Sequence, residues 1–456
     1  MTSASQNSQA TRWPDYRTVW RWHFYAGLFC MPFIVLLAIS GTIYLFKPQI
    51  DTWLDQPYDH LSLSGSPKSA SAQVQAALRA VPGSTFFAYE LSKRRENATR
   101  IIVTHHGTRI RVYLHPETLD ILKTTPEEDR VMRWVFHFHG DLLMGNGGSA
   151  LVELAASWTI IMIVTGIYLW WPRDKRGFGG VFYPRLTRGS RTFWRDCHAV
   201  TGVWIAFFTL FLLITGLPWA KVWGEYFKEV RRLTGTAVVQ QDWTVGVTSR
   251  DAIQESSEDH RSHGPAASPL PLSPDRPFDY SSLNILIPPV AALRLPHPVY
   301  ISPPAKAGRY WTAKSDTQNR PQRVTLQLDP STGTIVGREN FTDRHVLDQA
   351  IGIGVAAHEG QLFGWPNVLL GMFTAGGLLF LVFSGAFMWW NRRPTGILGA
   401  PPLLSTHSFS PGFTCVLLFF CLYLPLFTAS LLAVWFLDFL VLRRLPFMTH
   451  WLGLER

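Results

Sequence analysis

Several features that define common enzyme and scaffold classes are missing from this sequence of 456 residues. Its four cysteines are scattered along the chain, which excludes a disulfide scaffold. No C-x-x-C-H run is present, so covalent attachment of a c-type haem is excluded. There is no G-x-x-x-x-G-K-[ST] loop, no G-x-G-x-x-G motif after a strand and no H-E-x-x-H. We therefore expect neither a nucleotide-binding domain nor a zinc protease.

Charge is scarce, at 16% of residues, whereas 47% of residues are hydrophobic, so a disordered chain is excluded. The apolar residues are concentrated in stretches of about 20 residues, the length of helix that crosses a bilayer. Four such stretches are predicted to span the membrane: 24–46, 149–171, 199–220 and 367–390. Glu153 is the one acidic or basic residue within them, and such a residue inside a span is a functional candidate by default.

The first stretch lacks a small-x-small cleavage site, so we expect it to be an uncleaved anchor. A fifth apolar run, 413–442, contains Pro425 and is long for one span but short for two. A kinked or a re-entrant segment fits this run, and its topology is left open.

The formal charge of +10 predicts orientation rather than binding to nucleic acid. Three segments that flank the spans, 1–22, 172–197 and 391–410, together carry +9 of that charge. Because basic residues remain on the cytoplasmic side, these segments are predicted to be cytoplasmic. The N-terminus would then be cytoplasmic and the long segments 47–148 and 221–366 would lie outside.

An internal repeat aligns four histidines. The first and third spans each begin with His-x-x-x-Gly and contain a hydroxyl-glycine pair near the other end. The second and fourth are each preceded by a histidine and end with a hydroxyl-glycine pair and two tryptophans. The aligned positions are His23-Gly27 with His198-Gly202, Ser40-Gly41 with Thr215-Gly216, His139-Gly145 with His358-Gly364, and Thr165-Gly166 with Ser384-Gly385. Both halves run the same way through the membrane, so the repeat is parallel.

The outer segments repeat more weakly. The stretches 112–122 and 326–336 each read as an alternating strand, a Pro-x-Thr turn and a second strand, which predicts two hairpins. An amphipathic helix over 70–80 precedes the first hairpin. The fold class is therefore an α-helical membrane protein. It has a four-helix transmembrane core built as a parallel repeat, a C-terminal apolar helix and two outer α+β modules.

The repeat places the histidines in two pairs. His23 and His198 lie at the cytoplasmic boundary, and His139 and His358 lie at the outer boundary, about 27 Å away along the helices. Two facing imidazoles can provide the axial ligands of haem b. Glycines would give the porphyrin room: Gly27, Gly202, Gly166 and Gly385 at one level, and Gly41 and Gly216 at the other.

The boundary histidines and the repeated glycines also have simpler explanations than binding of a haem iron. A histidine at a membrane boundary can extend its ring into the interface, and glycines recur at helix contacts. Zinc is the rival metal, but no additional Cys, Asp or Glu ligands are repeated at both levels. His137 has Ala356 as its counterpart, which favours His139 as the ligand and leaves His137 as an alternate.

These motifs resemble the PepSY-associated transmembrane family, which includes iron-regulated membrane proteins and ferrisiderophore reductases of the bacterial inner membrane. The resemblance covers roughly residues 12–395. It rests on 23–46, His139 to Pro172, Asp196-Cys197-His198 to Gly216, and His358 to Trp390. It implies haem b, transmembrane electron transfer and reduction of iron(III)-siderophores in the periplasm, and it makes the outer modules PepSY-like.

Residues and resemblance together predict a di-haem b reductase of the inner membrane that acts on a ferric siderophore or other ferric chelate. The electron donor would be a membrane quinol or a cytoplasmic reductase, since the cytoplasmic segments are too short for a flavin or nicotinamide domain. Two alternatives stay open: a non-catalytic PepSY sensor or protease regulator, and a haem or metal transporter.

The predicted boundaries follow from the same patterns. They are a cytoplasmic tail 1–22, a helix 23–46, a first module 47–138, a helix with its His segment 139–171, a cytoplasmic loop 172–197, a helix 198–220, a second module 221–357 with a flexible loop 249–279, a helix with its His segment 358–390, a cytoplasmic loop 391–410 and a C-terminal membrane segment 411–456.

Overall fold

A computed structural model describes residues 14–172, 177–236, 280–304, 309–401 and 411–454 of the chain. The flexible loop predicted at 249–279 lies outside these residues. The helices are α1 Tyr16–Leu45, α2 Lys47–Asp55, α3 Ala70–Ala80, α4 Val131–Asp141, α5 Gly145–Trp170, α6 Ser190–Gly216, α7 Lys221–Leu233, α8 Ser282–Ala292, α9 Val346–His358, α10 Trp365–Arg392, α11 Pro411–Tyr423, α12 Pro425–Leu440 and α13 Pro446–Leu452. The strands are β1 Thr85–Glu90, β2 Thr99–His105, β3 Thr108–Leu114, β4 Ile121–Pro126, β5 Val299–Ser302, β6 Trp311–Ser315, β7 Val324–Leu328 and β8 Ile335–Asn340.

The chain divides into two compact units. The helical unit consists of Met1–Thr42, His137–Ala237 and Leu369–Arg456. The sheet unit consists of Ile43–Phe136 and Val238–Val368. Each unit is assembled from segments that are far apart in sequence, because the chain leaves the helical unit after α1 and again after α7.

Five helices of the described residues are long and apolar enough to cross a membrane: Tyr16–Leu45, Gly145–Trp170, Ser190–Trp219, Trp365–Arg392 and Pro425–Arg444. The first four coincide with the four predicted spans, three of which were predicted to end one residue later, at 46, 171 and 220. At most 28% of the most apolar part of any of these helices is buried within the protein. Most positions in these stretches are therefore exposed or only partly buried, as expected where the surroundings are lipid.

The C-terminal apolar run, for which the sequence left a kinked or a re-entrant segment open, forms two helices, and not the one apolar helix named in the predicted fold class. The helix is interrupted at Leu424, between α11 and α12, and Pro425 is the first residue of α12. Proline has no amide hydrogen and restricts the residue before it to extended conformations, so Leu424 cannot continue α11. Leu424 and Phe427 are nevertheless buried, in a cluster with Ile160, Leu217 and Trp223.

Glu153 joins α5 to the start of α7. Its carboxylate is 1% exposed, and one oxygen accepts hydrogen bonds from the backbone amides of Val222 and Trp223, both at 3.0 Å. These amides belong to the first turn of α7, where backbone donors lack partners within the helix. The carboxylate thus caps α7 from a neighbouring helix, and its negative charge interacts favourably with the positive end of the α7 dipole.

We expect Glu153→Ala to lower the free energy of unfolding by about 1–3 kcal/mol, because two buried amides lose their acceptor. Glu153→Gln keeps an oxygen at that position and should lose less. Thermal unfolding in detergent, followed by circular dichroism, measures both. If the Ala variant unfolds at the same temperature as the wild type, the capping role is wrong.

The sheet unit contains one antiparallel sheet of eight strands in the order β4-β3-β2-β1-β5-β6-β7-β8. Both predicted hairpins are confirmed, as β3 pairs with β4 and β7 pairs with β8. The predicted helix over 70–80 is α3. The two modules, considered separately in the sequence, share a single sheet because β1 pairs with β5, with Tyr89 opposite Ile301.

Helices α3 and α8 pack together, and α3 also contacts β1, β2 and β3. The shared core contains Val74 and Ala77 of α3, Leu283 and Leu286 of α8, and Trp311 of the sheet, all no more than 2% exposed. Because residues from both modules enter one core, the sheet unit folds around a single hydrophobic centre.

Buried ion pairs hold the first half of the sheet. The Arg111 guanidinium, 3% exposed, pairs with Glu90 and, at 2.5 Å, with Glu127. Burial has the largest single effect and raises the pKa of Glu127, but Arg111, Arg130 and Arg109 together outweigh burial and hold this pKa below its usual value. The folded state therefore favours the charged carboxylate, and this contribution to stability is present above about pH 4.3 and lost as the pH falls below it.

We expect the unfolding temperature of the wild type to fall between pH 5 and pH 3, and Glu127→Gln to weaken that dependence. The variant should also be less stable at pH 7 by about 1–2 kcal/mol, since Arg111 keeps Glu90 as a partner. Glu339→Gln is the control, because Glu339 is 57% exposed. An unchanged pH profile for Glu127→Gln would contradict the role of this pair.

Candidate cofactor site

His23 of α1 is held by α5. Its Nδ1 lies 3.0 Å from the Met162 carbonyl oxygen and 3.1 Å from the Thr165 hydroxyl. The ring rests against Gly166, where a Cβ would come within 3.1 Å of the imidazole Cε1. A glycine at this position therefore lets the imidazole approach the α5 backbone.

His198 of α6 is held by α10 in the same way. Its Nδ1 lies 2.9 Å from the Ser384 hydroxyl, and a Cβ at Gly385 would lie 3.4 Å from its Cε1. Each of these two histidines is thus held by a hydroxyl-glycine pair that the sequence repeat had aligned.

His139 lies near the end of α4 and is held by α1. Its Nδ1 lies 2.9 Å from the Ser40 hydroxyl, and a Cβ at Gly41 would come within 3.1 Å of its Cε1. The third hydroxyl-glycine pair of the repeat therefore has the same local role as the first two.

These hydrogen bonds favour one tautomer. The Met162 carbonyl oxygen can only accept, so Nδ1–H of His23 donates. The hydroxyls of Ser384 and Ser40 lie within hydrogen-bond distance of the Leu381 and Leu36 carbonyl oxygens of their own helices, and each hydroxyl has one hydrogen. Both hydrogen bonds of each hydroxyl form together when Nδ1–H of the imidazole donates, which leaves Nε2 with the lone pair. That is the form in which a histidine binds a metal, with its second nitrogen oriented by a hydrogen bond.

His23 and His198 line the same cavity, of about 1240 Å³. Its volume exceeds the roughly 300–1,000 Å³ common for small-molecule sites. Within the described residues, neither imidazole has a hydrogen-bond partner at Nε2. The cavity is also lined by Met31, Met162, Trp20, Trp170, Trp194 and Trp389 and by the four glycines Gly27, Gly166, Gly202 and Gly385.

The four glycines have two different roles, which the sequence did not separate. Gly166 and Gly385 contact the imidazoles. Gly27 and Gly202 instead leave space, since a Cβ on either would meet one side chain at an ordinary 3.8 Å. The cavity fits a flat tetrapyrrole. Two histidines line it with available Nε2 atoms, its walls are largely apolar, and the helix faces at Gly27 and Gly202 are uncrowded.

The other predicted residues are placed as follows. His358 is the last residue of α9, in the sheet unit, and Gly216 is the last residue of α6, in the helical unit. The pairing of His139 with His358 therefore stays a prediction. His137 bonds Asp141 on its own helix, with Nδ1 2.8 Å from the carboxylate. Among the described residues, no group of three or more His, Cys, Asp or Glu is placed to hold a metal ion.

Ser40, Thr165 and Ser384 stood out in the sequence only as parts of a repeat, with no predicted role. Each precedes a repeated glycine by one residue, and this position was the sequence feature that could have marked them as histidine partners. Arg191 and Arg392, which also line the cavity, were counted only toward the topology.

Several apolar helices and a large antiparallel sheet define a membrane protein with an α+β unit. The model of the family described as PepSY-associated TM region matches residues 20–392, most of the chain. The chain belongs to this family, which confirms the resemblance predicted from the histidine and glycine motifs. No curated protein sequence matches the chain significantly.

The two roles of glycine lead to opposite expectations for stability. Alanine is favoured over glycine inside a helix by about 0.5–1 kcal/mol. Gly27→Ala and Gly202→Ala should therefore leave the protein without cofactor as stable or slightly more stable. Gly166→Ala and Gly41→Ala should destabilise it, because the new Cβ crowds an imidazole at 3.1 Å. Unfolding temperatures in detergent test this, and equal values for all four variants would contradict it.

Proposed function

We propose that the protein is an inner-membrane electron-transfer protein that binds haem b and reduces a ferric siderophore or other ferric chelate outside the membrane. His23 and His198 would be axial ligands of the haem nearer the cytoplasm. The observation that carries the proposal is the arrangement of these imidazoles on one cavity, each with Nδ1 within 3.1 Å of a hydroxyl oxygen.

The chain's own residues would each have a defined task. Thr165 and Ser384 orient the ligand rings, and Gly27 and Gly202 leave room for the porphyrin plane. Haem, when bound, supplies a one-electron Fe(III)/Fe(II) couple whose potential the protein tunes through ligands, hydrogen bonds and burial. The apolar walls of the cavity exclude water from both sides of such a ring.

The acceptor follows from the family resemblance and from coordination chemistry. Siderophores hold Fe(III) through hard oxygen ligands, which bind the softer Fe(II) less tightly. One electron per iron therefore favours release of the metal. A membrane quinol, which yields two electrons and two protons, or a separate cytoplasmic reductase would be the donor. A second haem held by His139 and His358 remains a prediction from the sequence repeat.

The absorption spectrum tests the proposal. Purified protein should show a Soret band and a reduced-minus-oxidised difference spectrum of haem b. His23→Ala and His198→Ala should each lower haem binding at this site by about tenfold or more, since even the residues that orient a ligand typically contribute that much. His60→Ala is the control, because His60 is exposed and belongs to the sheet unit.

Protein that folds but lacks a reducible Soret band would overturn the haem assignment and favour a PepSY sensor. Full haem content in His198→Ala would overturn the assignment of that ligand. Haem that exchanges freely and accumulates across the membrane, without reduction of a ferric chelate, would favour a transporter.

A further inference from the structure

Two arginines that line the His23/His198 cavity have no acidic partner among the residues that the structure describes. Arg191 of α6 and Arg392 of α10 both line the cavity. Neither forms an ion pair with a carboxylate within the described part of the chain. Their neighbours differ: Arg195 pairs with Asp196 at 2.9 Å, and the Arg393 guanidinium lies 4.1 Å from the centre of the Trp390 ring.

The helices bring the two arginines to the same end of the cavity. Arg191 precedes His198 by seven residues on α6, and Arg392 follows Gly385 by seven residues on α10. Seven residues make about two helical turns, so each arginine lies on the cavity-lining face of its helix. Arg191 is about 10 Å along the helix axis from His198, and Arg392 is about 10 Å from Gly385. Gly385 contacts the His198 ring, so both arginines are displaced from the level of the His198 imidazole in the same direction.

Among the described residues, Arg392 is held by an aromatic ring and a backbone carbonyl oxygen, and by no carboxylate. Its guanidinium lies 4.5 Å from the centre of the Trp20 ring, and its Nη2 donates to the Gly399 carbonyl oxygen at 3.3 Å. Asp196 also lines the cavity, but its carboxylate pairs with Arg185 and Arg195. An anion beside Arg191 and Arg392 would therefore be attracted by two positive charges that line one cavity.

We propose that Arg191 and Arg392 bind the two propionate carboxylates of the tetrapyrrole whose iron is held by His23 and His198. The inference rests on the proposed function. A guanidinium matches a carboxylate in a bidentate manner, which a lysine does not. The two carboxylates would then lie at the end of the span predicted to be cytoplasmic, where water can reach them, and the ring would have one fixed orientation in the cavity.

The test compares iron protoporphyrin IX with its dimethyl ester, in which both carboxylates are blocked. Each porphyrin is titrated into full-length protein produced in haem-deficient cells, and the Soret band reports binding. Charged hydrogen bonds are worth about tenfold to a hundredfold in affinity each. Arg191→Gln with Arg392→Gln should therefore weaken binding of the diacid by about 100-fold or more, while binding of the diester stays within about twofold.

Two controls separate binding from topology. Arg188→Gln with Arg393→Gln removes the same charge from nearby positions outside the cavity lining and should leave diacid binding unchanged. Arg191→Lys with Arg392→Lys keeps the positive charge that orients the spans and should still lose about tenfold in diacid affinity, because the bidentate geometry is lost.

Equal losses for diacid and diester would mean that the arginines act on the structure of the cavity, and would overturn the proposal. No loss for either porphyrin would overturn it as well, while the haem assignment would stand. No Soret change in the wild type with either porphyrin would overturn both this inference and the proposed function. If the double Gln variant does not fold, the single variants replace it, each with an expected loss of about tenfold.

Discussion

Imidazole groups on membrane helices impose the constraint around which the helical unit is arranged. A ring nitrogen that leaves water must find a partner, since an unsatisfied polar group in an apolar environment costs several kcal/mol. Here the partner is a serine or threonine hydroxyl whose own hydrogen is bonded to its helix. The next residue is glycine, which lets the imidazole approach the backbone. The same solution holds His23, His139 and His198.

This constraint links local sequence to the cavity. A hydroxyl-glycine pair determines which helices must be neighbours: α1 with α5, α6 with α10, and α4 with α1. With each Nδ1 occupied, Nε2 of His23 and of His198 is the nitrogen available to a ligand in the shared cavity. Gly27 and Gly202, one turn from these histidines, keep the adjacent helix faces open. Packing, tautomer and cavity thus have a common origin in a few short motifs.

Much of this could be predicted because its signals are local. The spans, α3 and both hairpins follow from hydrophobic periodicity and turn residues. The pairing of β1 with β5 could not be predicted, since Tyr89 and Ile301 are far apart in sequence and carry no mutual signal. The sequence also marked Glu153 as unusual without showing that Val222 and Trp223 are its partners, and grouped Gly27 with Gly166 although only Gly166 contacts an imidazole.

We propose that His23 and His198 both bind the iron of one haem. Electron paramagnetic resonance of the ferric protein can be compared with that of His198→Gly before and after addition of imidazole. If both histidines bind the iron, the wild type should give a low-spin signal of two imidazole ligands, the variant should give a high-spin signal, and added imidazole should restore the low-spin signal. A low-spin signal of this site that survives in His198→Gly without imidazole would mean that His198 does not bind the iron.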